Sequence, residues 1–194
     1  MAAPRPIPCT IKSSSFASRK PEAARHVKIL VTGAKGQLGG ELVRRLGPAA
    51  IPVDQDEIDF TTGPSIVEAV LSLRPEAVIN CAAYTQVDRA EQEFDLCRRV
   101  NAEAVAHIVR ACETLDCPLL QVSTDYVFAG SSIRDRPLRE DDLPAPLGVY
   151  ACTKHVGEQA AGRWAKHWIV RTCGLYARPS DTQAKNFVRI MLRL

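Results

Sequence analysis

The chain has 194 residues, 46% of them hydrophobic, 24% charged and 6% aromatic; this suits one globular domain and excludes disordered or collagen-like composition. No apolar run approaches the roughly 18–20 residues that cross a bilayer, which excludes a chain of membrane-spanning helices. Of the net charge of +3, residues 1–26 carry +4 and the remainder −1, so no nucleic-acid-binding face is expected on the folded part.

Residues 1–26 are rich in Pro, Ser, Arg and Ala and lack helical or alternating periodicity, so they are expected to be a disordered basic extension. They have no apolar signal-peptide core, although an acid-poor, Ser/Arg-rich start is also seen in organelle transit peptides. From Val27 the pattern turns regular. VKILVTGA predicts a first strand, and GQLGGELVRRLG a helix with Leu38, Leu42, Val43 and Leu46 at helical spacing before a Gly47-Pro48 stop. AAIPVDQ predicts the second strand, GPSIVEAVLSLRP a helix and EAVINCAA the third strand. A long helix follows over 93–116, then PLLQVSTDYVF as the fourth strand. Residues 129–149 form a polar loop in which Pro137, Pro144 and Pro146 exclude regular helix. YACTKHVGEQAAGRWAKH predicts a last helix and HWIVRTCGLYA a fifth strand. Strands alternating with helices define a doubly wound parallel α/β sheet, covered on both faces.

The seven cysteines are odd in number, include no C-x-x-C pair and fall partly in apolar segments. They read as reduced thiols of a cytoplasmic protein, packed as small hydrophobes rather than used as metal ligands.

Gly33, Gly36 and Gly39 make G-x-x-G-x-x-G at the first strand-to-helix turn. Glycines there permit the tight turn, the approach of a pyrophosphate and close helix packing, with the anion on the helix N-terminus. Asp54 follows the second strand, where a carboxylate can accept from an adenosine ribose hydroxyl; Lys35, inside the turn, is placed to meet a 2′-phosphate instead. NADH and NADPH both remain open. Tyr150 and Lys154 share one face of a predicted helix, and an ammonium beside a phenol is expected to lower the phenol pKa for proton transfer to a carbonyl oxygen. Ser123 and Thr124 end the fourth strand, at the sheet edge where ligands bind, and offer a hydroxyl to the same oxygen.

In order, VTGAKGQLGGEL, VINCAAYTQVDRAE, VSTDYVFAG, PLGVYACTKHVGE, IVRTCGLYA and NFVRIMLRL resemble the extended short-chain dehydrogenase/reductase family, and more closely its dTDP-4-dehydrorhamnose reductase branch, over 27–194. The resemblance implies a Rossmann-type NAD(P)-binding fold. It also implies reduction of the C4 ketone of a dTDP sugar by NADPH or NADH in the cytoplasm, by a homodimer in which Mg²⁺ serves some relatives at a dimer contact. It carries Gly36, Gln37 and Leu38 to the pyrophosphate, Asp54 to the ribose, Asp59 and Phe60 to the adenine, and Ala83, Tyr84 and Thr85 to the inner path of the cofactor. Thr124 and Asp125 are carried to the substrate, Thr124 also to proton transfer, Tyr150 to the general acid, and Lys154 to both Tyr150 and the nicotinamide ribose. Asn101 is carried to ordering the central strands or a relay water.

Related dehydratases place a Glu after the Asp that follows the threonine, whereas Tyr126 follows Asp125 here, which favours a simple reductase. Two features depart from the family pattern. Cys173-Gly174 stands where an aromatic residue is common, and the family continues past NFVRIMLRL into a smaller substrate region, so most of that region is expected to be missing at Leu194. The alternatives are a non-catalytic subunit like the regulatory β subunit of methionine adenosyltransferase, and a reductase or epimerase of another nucleotide sugar.

Overall fold

The computed structural model describes residues 27–133 and 135–176; the readings for 1–26 and for NFVRIMLRL lie outside them. Five parallel strands, β1 (Ile29–Thr32), β2 (Ala50–Val53), β3 (Ala77–Asn80), β4 (Leu119–Thr124) and β5 (His167–Thr172), form one sheet in the order β2-β1-β3-β4-β5. Pro52 sits on β2, the edge strand, where its missing N–H breaks no interior ladder. The strand order reverses between β1 and β3, and such a switch point opens a crevice at the C-terminal strand ends.

The connecting helices are α1 (Gln37–Leu46), α2 (Gly63–Leu73), the short α3 (Val87–Ala90), α4 (Phe94–Arg98), α5 (Ala104–Leu115) and α6 (Gly148–Ala161). Right-handed crossovers put α1, which steps outward to β2, on one face, and α2, α5 and α6, which step the other way, together on the opposite face. Between that helical layer and the sheet lie Leu30, Ile66, Val70, Val78, Ile108 and Leu119, all essentially inaccessible to water. Truncating one of these to Ala costs about 2–5 kcal/mol in such a core.

Several sequence expectations are corrected. The helix expected over 93–116 is α4 and α5 joined by a π-helical turn, Arg99–Glu103. The fourth strand stops at Thr124, because the Thr124 hydroxyl accepts the Tyr126 amide at 3.2 Å and turns Asp125–Phe128 into 3-10 helix. The last helix opens at Gly148 and ends at Ala161, before Gly162, rather than running to His167. Trp168 and Val170 stay exposed while Ile169, between them, packs on the core.

Candidate active site

The reversal in strand order opens a cleft of about 1210 Å³ along the C-terminal ends of β1, β3 and β4. One wall is backbone. Gly33 adopts φ +65°, and a Cβ there would stand 2.8 Å from the Ala82 nitrogen; a Cβ on Gly39 would stand 2.1 Å from the Gly33 carbonyl oxygen. Only glycines let α1 approach the turn this closely. α1 opens at Gly36 with no side-chain cap and no acidic residue in its first turn, so its amides and dipole suit an anion. The residues therefore fit a pyrophosphate.

Asp54 stands just past β2 and accepts the Lys35 amide at 2.7 Å and the Gln55 amide at 2.8 Å. The Lys35 ammonium pairs with Asp56. Gln37 donates its side-chain amide to the Leu175 carbonyl at 2.7 Å, bridging the cleft mouth. Farther along, Leu38, Asp59 and Phe60 border the same cleft. The Asp59 carboxylate accepts the hydroxyl of Thr61 at 2.6 Å and its amide at 2.8 Å, and these bonds hold its pKa below the ordinary value. Phe60 is largely buried and belongs to the core as much as to the cleft.

The opposite wall is made by side chains. Ala83, Tyr84 and Thr85 follow β3, and Asn101 holds this loop by accepting the Tyr84 amide at 2.9 Å and donating to the Tyr84 carbonyl at 3.1 Å. Its amide also reaches the Thr153 hydroxyl on α6 at 3.4 Å. Asn101 sits in the π turn, whose extra residue per turn redirects the side chain. A Cβ on Gly157 would stand 2.2 Å from the Asn101 carbonyl oxygen, so α6 and the π turn also meet across a glycine.

Thr124, Asp125, Tyr150 and Lys154 border the cleft beside them, as does the buried Ser123. The Tyr150 ring meets Tyr126 edge to face, with centroids 5.8 Å apart. Lys154 is buried and donates to the Val122 carbonyl at 2.7 Å. Burial pushes its pKa down to about 8. Burial also raises the Tyr150 pKa above the ordinary phenol value, against an opposing effect of the Thr124 hydroxyl. The expected lowering of the phenol by Lys154 is thus not found: burial of the phenol is the largest influence on it and acts upward.

Sequence reasoning missed what holds Lys154. Thr32 donates to Asn80 at 2.5 Å, Asn80 to Gln121 at 2.8 Å, and Gln121 to the Val122 carbonyl at 2.9 Å. All three side chains are buried, so this chain of bonds crosses the centre of the sheet just beneath the cleft. A polar residue at an inward strand position was the available signal. Glu158, also buried, pairs bidentately with Arg171 at 2.9 and 2.8 Å; burial pushes its carboxyl up, but Arg171 leaves the net pKa below normal.

A five-stranded parallel sheet with flanking helices and a glycine turn on a helix N-terminus at its switch point defines the class of Rossmann-like folds. Within that class, the family described as RmlD substrate binding domain matches residues 27–194, and the chain belongs to it. It is 44% identical to dTDP-4-dehydrorhamnose reductase of Streptomyces griseus, over 85% of this chain and 54% of that protein. It is 39% identical to the reductase of the same name from Escherichia coli K12, over 87% of this chain and 56% of the relative. Among solved structures, dTDP-4-dehydrorhamnose reductase from Bacillus anthracis in complex with NADP superposes with a TM-score of 0.76 at 38% identity, covering 86% of this chain and 58% of that one. The chain thus spans just over half the length of the relatives it matches. No helix among the described residues is long and apolar enough to cross a membrane.

Proposed function

We propose that this chain carries the dinucleotide-binding and proton-donating part of a dTDP-4-dehydrorhamnose reductase. The reaction is NADPH- or NADH-dependent reduction of the C4 ketone of dTDP-4-dehydro-6-deoxy-L-mannose to dTDP-L-rhamnose, in the cytoplasm. The observation that carries this reading is the meeting of the glycine turn with Thr124, Tyr150 and Lys154 in one cleft of a chain of this family. In this reading residues 27–194 form the NAD(P)-binding domain with the start of the substrate region, and the protein works as a homodimer.

The turn at Gly33, Gly36 and Gly39 and the amides of Gln37 and Leu38 hold the pyrophosphate, Asp54 the ribose, and Asp59 and Phe60 flank the adenine. Ala83, Tyr84 and Thr85 line the path to the nicotinamide end. When bound, the reduced nicotinamide supplies the hydride that becomes the new C–H bond at C4. Tyr150 donates its phenolic proton to the C4 oxygen, completing the alcohol, and Thr124 donates a hydrogen bond to that oxygen as charge builds on it. Asp125 contacts the sugar. Lys154, fixed through Val122, holds the nicotinamide ribose.

The test is to melt the 194-residue chain with and without saturating NADPH or NADH, then to follow dinucleotide oxidation with the dTDP-4-dehydro sugar. Ligand binding to the native state raises the melting temperature by mass action. An upward shift and sugar-dependent oxidation are expected, and a melt indifferent to both dinucleotides removes the reading.

A further inference from the structure

The inference here rests on the reading of Tyr150 as proton donor. Tyr150 is the third residue of α6, in the turn of a helix most prone to fray. α6 does not cap itself: Leu147, at the N-cap position, makes no side-chain bond to the first turn, and that turn contains no acid. The cap comes from elsewhere. Glu91, the residue directly after α3, accepts the Val149 amide through Oε1 at 2.7 Å, across 58 residues of sequence. Gly148 fits the same arrangement, with φ +78° and a Cβ position that would lie 2.9 Å from that Glu91 oxygen. Any side chain at 148 would both strain the backbone and displace the carboxylate.

Glu91 belongs to the segment whose first residues, Ala83 to Thr85, border the cleft. That segment is therefore tied to α6 at two points: through Asn101, which bonds Tyr84 and Thr153, and through Glu91, which bonds Val149. A negative charge on a helix N-terminus is favourable, so the contact stabilises the first turn of α6 by electrostatics as well as by the hydrogen bond.

We propose that Glu91 is a positioning residue for proton transfer. By capping α6 from the neighbouring segment it fixes where the Tyr150 phenol stands, and it makes that position depend on the loop that lines the cleft. Gly148 leaves the space the carboxylate needs. Loss of the cap frees the first turn and lets the phenol leave the reacting geometry, while the glycine turn and the adenosine contacts stay intact.

The test compares the full chain with Glu91→Ala and Glu91→Gln in three readouts: turnover of the dTDP-4-dehydro sugar, affinity for NADPH, and hydrogen exchange of the Val149 and Tyr150 amides. Glu91→Ala is expected to lower kcat about tenfold with NADPH affinity within about twofold, and to speed exchange at both amides. Glu91→Gln keeps an acceptor oxygen and should restore most of the turnover. Unchanged exchange in Glu91→Ala overturns the cap. Faster exchange with unchanged kcat, or with kcat and affinity lost together and no rescue by Gln, overturns the positioning role. If the wild-type chain itself shows no turnover, the functional reading fails, and the cap stands or falls on the exchange data alone.

Discussion

The two walls of the cleft are built in different ways. At the β1–α1 turn the shape is made by backbone, with Gly33 and Gly39 allowing main-chain atoms to meet where a Cβ would collide. At the β4–α6 side it is made by side chains, with Asn101 clamping the Tyr84 loop and the Thr32–Asn80–Gln121 chain ending on the carbonyl that holds Lys154. A backbone-made wall tolerates no added atoms and offers no group of its own that titrates. A side-chain wall tolerates conservative changes in shape and responds to protonation, because Lys154 and Tyr150 titrate there in a poorly solvated place.

The largest effects should separate the two walls. Tyr150→Phe removes the proton donor but no cleft contact other than its hydroxyl, so turnover is expected to fall by roughly 10²–10⁴ while dinucleotide affinity barely changes. Steady-state rates beside a binding titration check this, and retained turnover would sink the general-acid role. Gly39→Ala attacks the other wall. Its methyl would have to stand 2.1 Å from a backbone oxygen that cannot swing aside. Overpacking of this kind costs about 3 kcal/mol or more, and separating helix from turn weakens dinucleotide binding by roughly a hundredfold. A Gly39→Ala protein that binds as well as wild type would show that the turn is not where the pyrophosphate rests.

A third and smaller change acts on the join between the walls. Asn101→Ala leaves the half-buried Tyr84 amide and carbonyl without their partner, at a cost of about 1–3 kcal/mol in stability. A chemical denaturation curve measures it. Asn101→Asp should keep the bond from the Tyr84 amide and lose the bond to its carbonyl, and so fall between.

The same contrast explains how much was legible in the sequence. Alternating strands and helices gave the sheet class, and the glycine spacing, Asp54 and the Tyr150/Lys154 pair were visible because each depends on spacing along one or two adjacent elements. All of them border the one cleft. What stayed hidden depends on register between distant elements. Nothing local brings Gln121 beside Asn80, which requires β3 and β4 to pair as Asn80↔Gln121, or places Glu91 at the start of α6. The stop of β4 at Thr124 was missed for a related reason, since a hydroxyl bond to Tyr126 outweighs the strand propensity of DYVF. The pKa of Tyr150 went the other way because sequence shows how near Lys154 is along the helix but not how far the phenol is buried.

A change at Lys154 best isolates charge from shape. Lys154 is buried, and burial lowers its pKa from 10.5 to about 8. A base whose folded pKa lies below its unfolded value binds fewer protons when folded, so stability rises with pH between the two values. Below about pH 8 the chain carries the full cost of an ammonium held out of water, on the order of 3 kcal/mol, and that cost fades as pH rises from about 8 toward 10.5. Lys154→Met keeps much of the side-chain volume and leaves the Val122 carbonyl with its bond from Gln121. The variant is therefore expected to lose turnover and ribose binding yet melt at a higher temperature than wild type at pH 7, with the gap closing by about pH 10. A constant gap across that range would assign the gain to packing. A variant less stable than wild type at pH 7 would mean that the bond from Lys154 to Val122 is worth more than the buried charge costs.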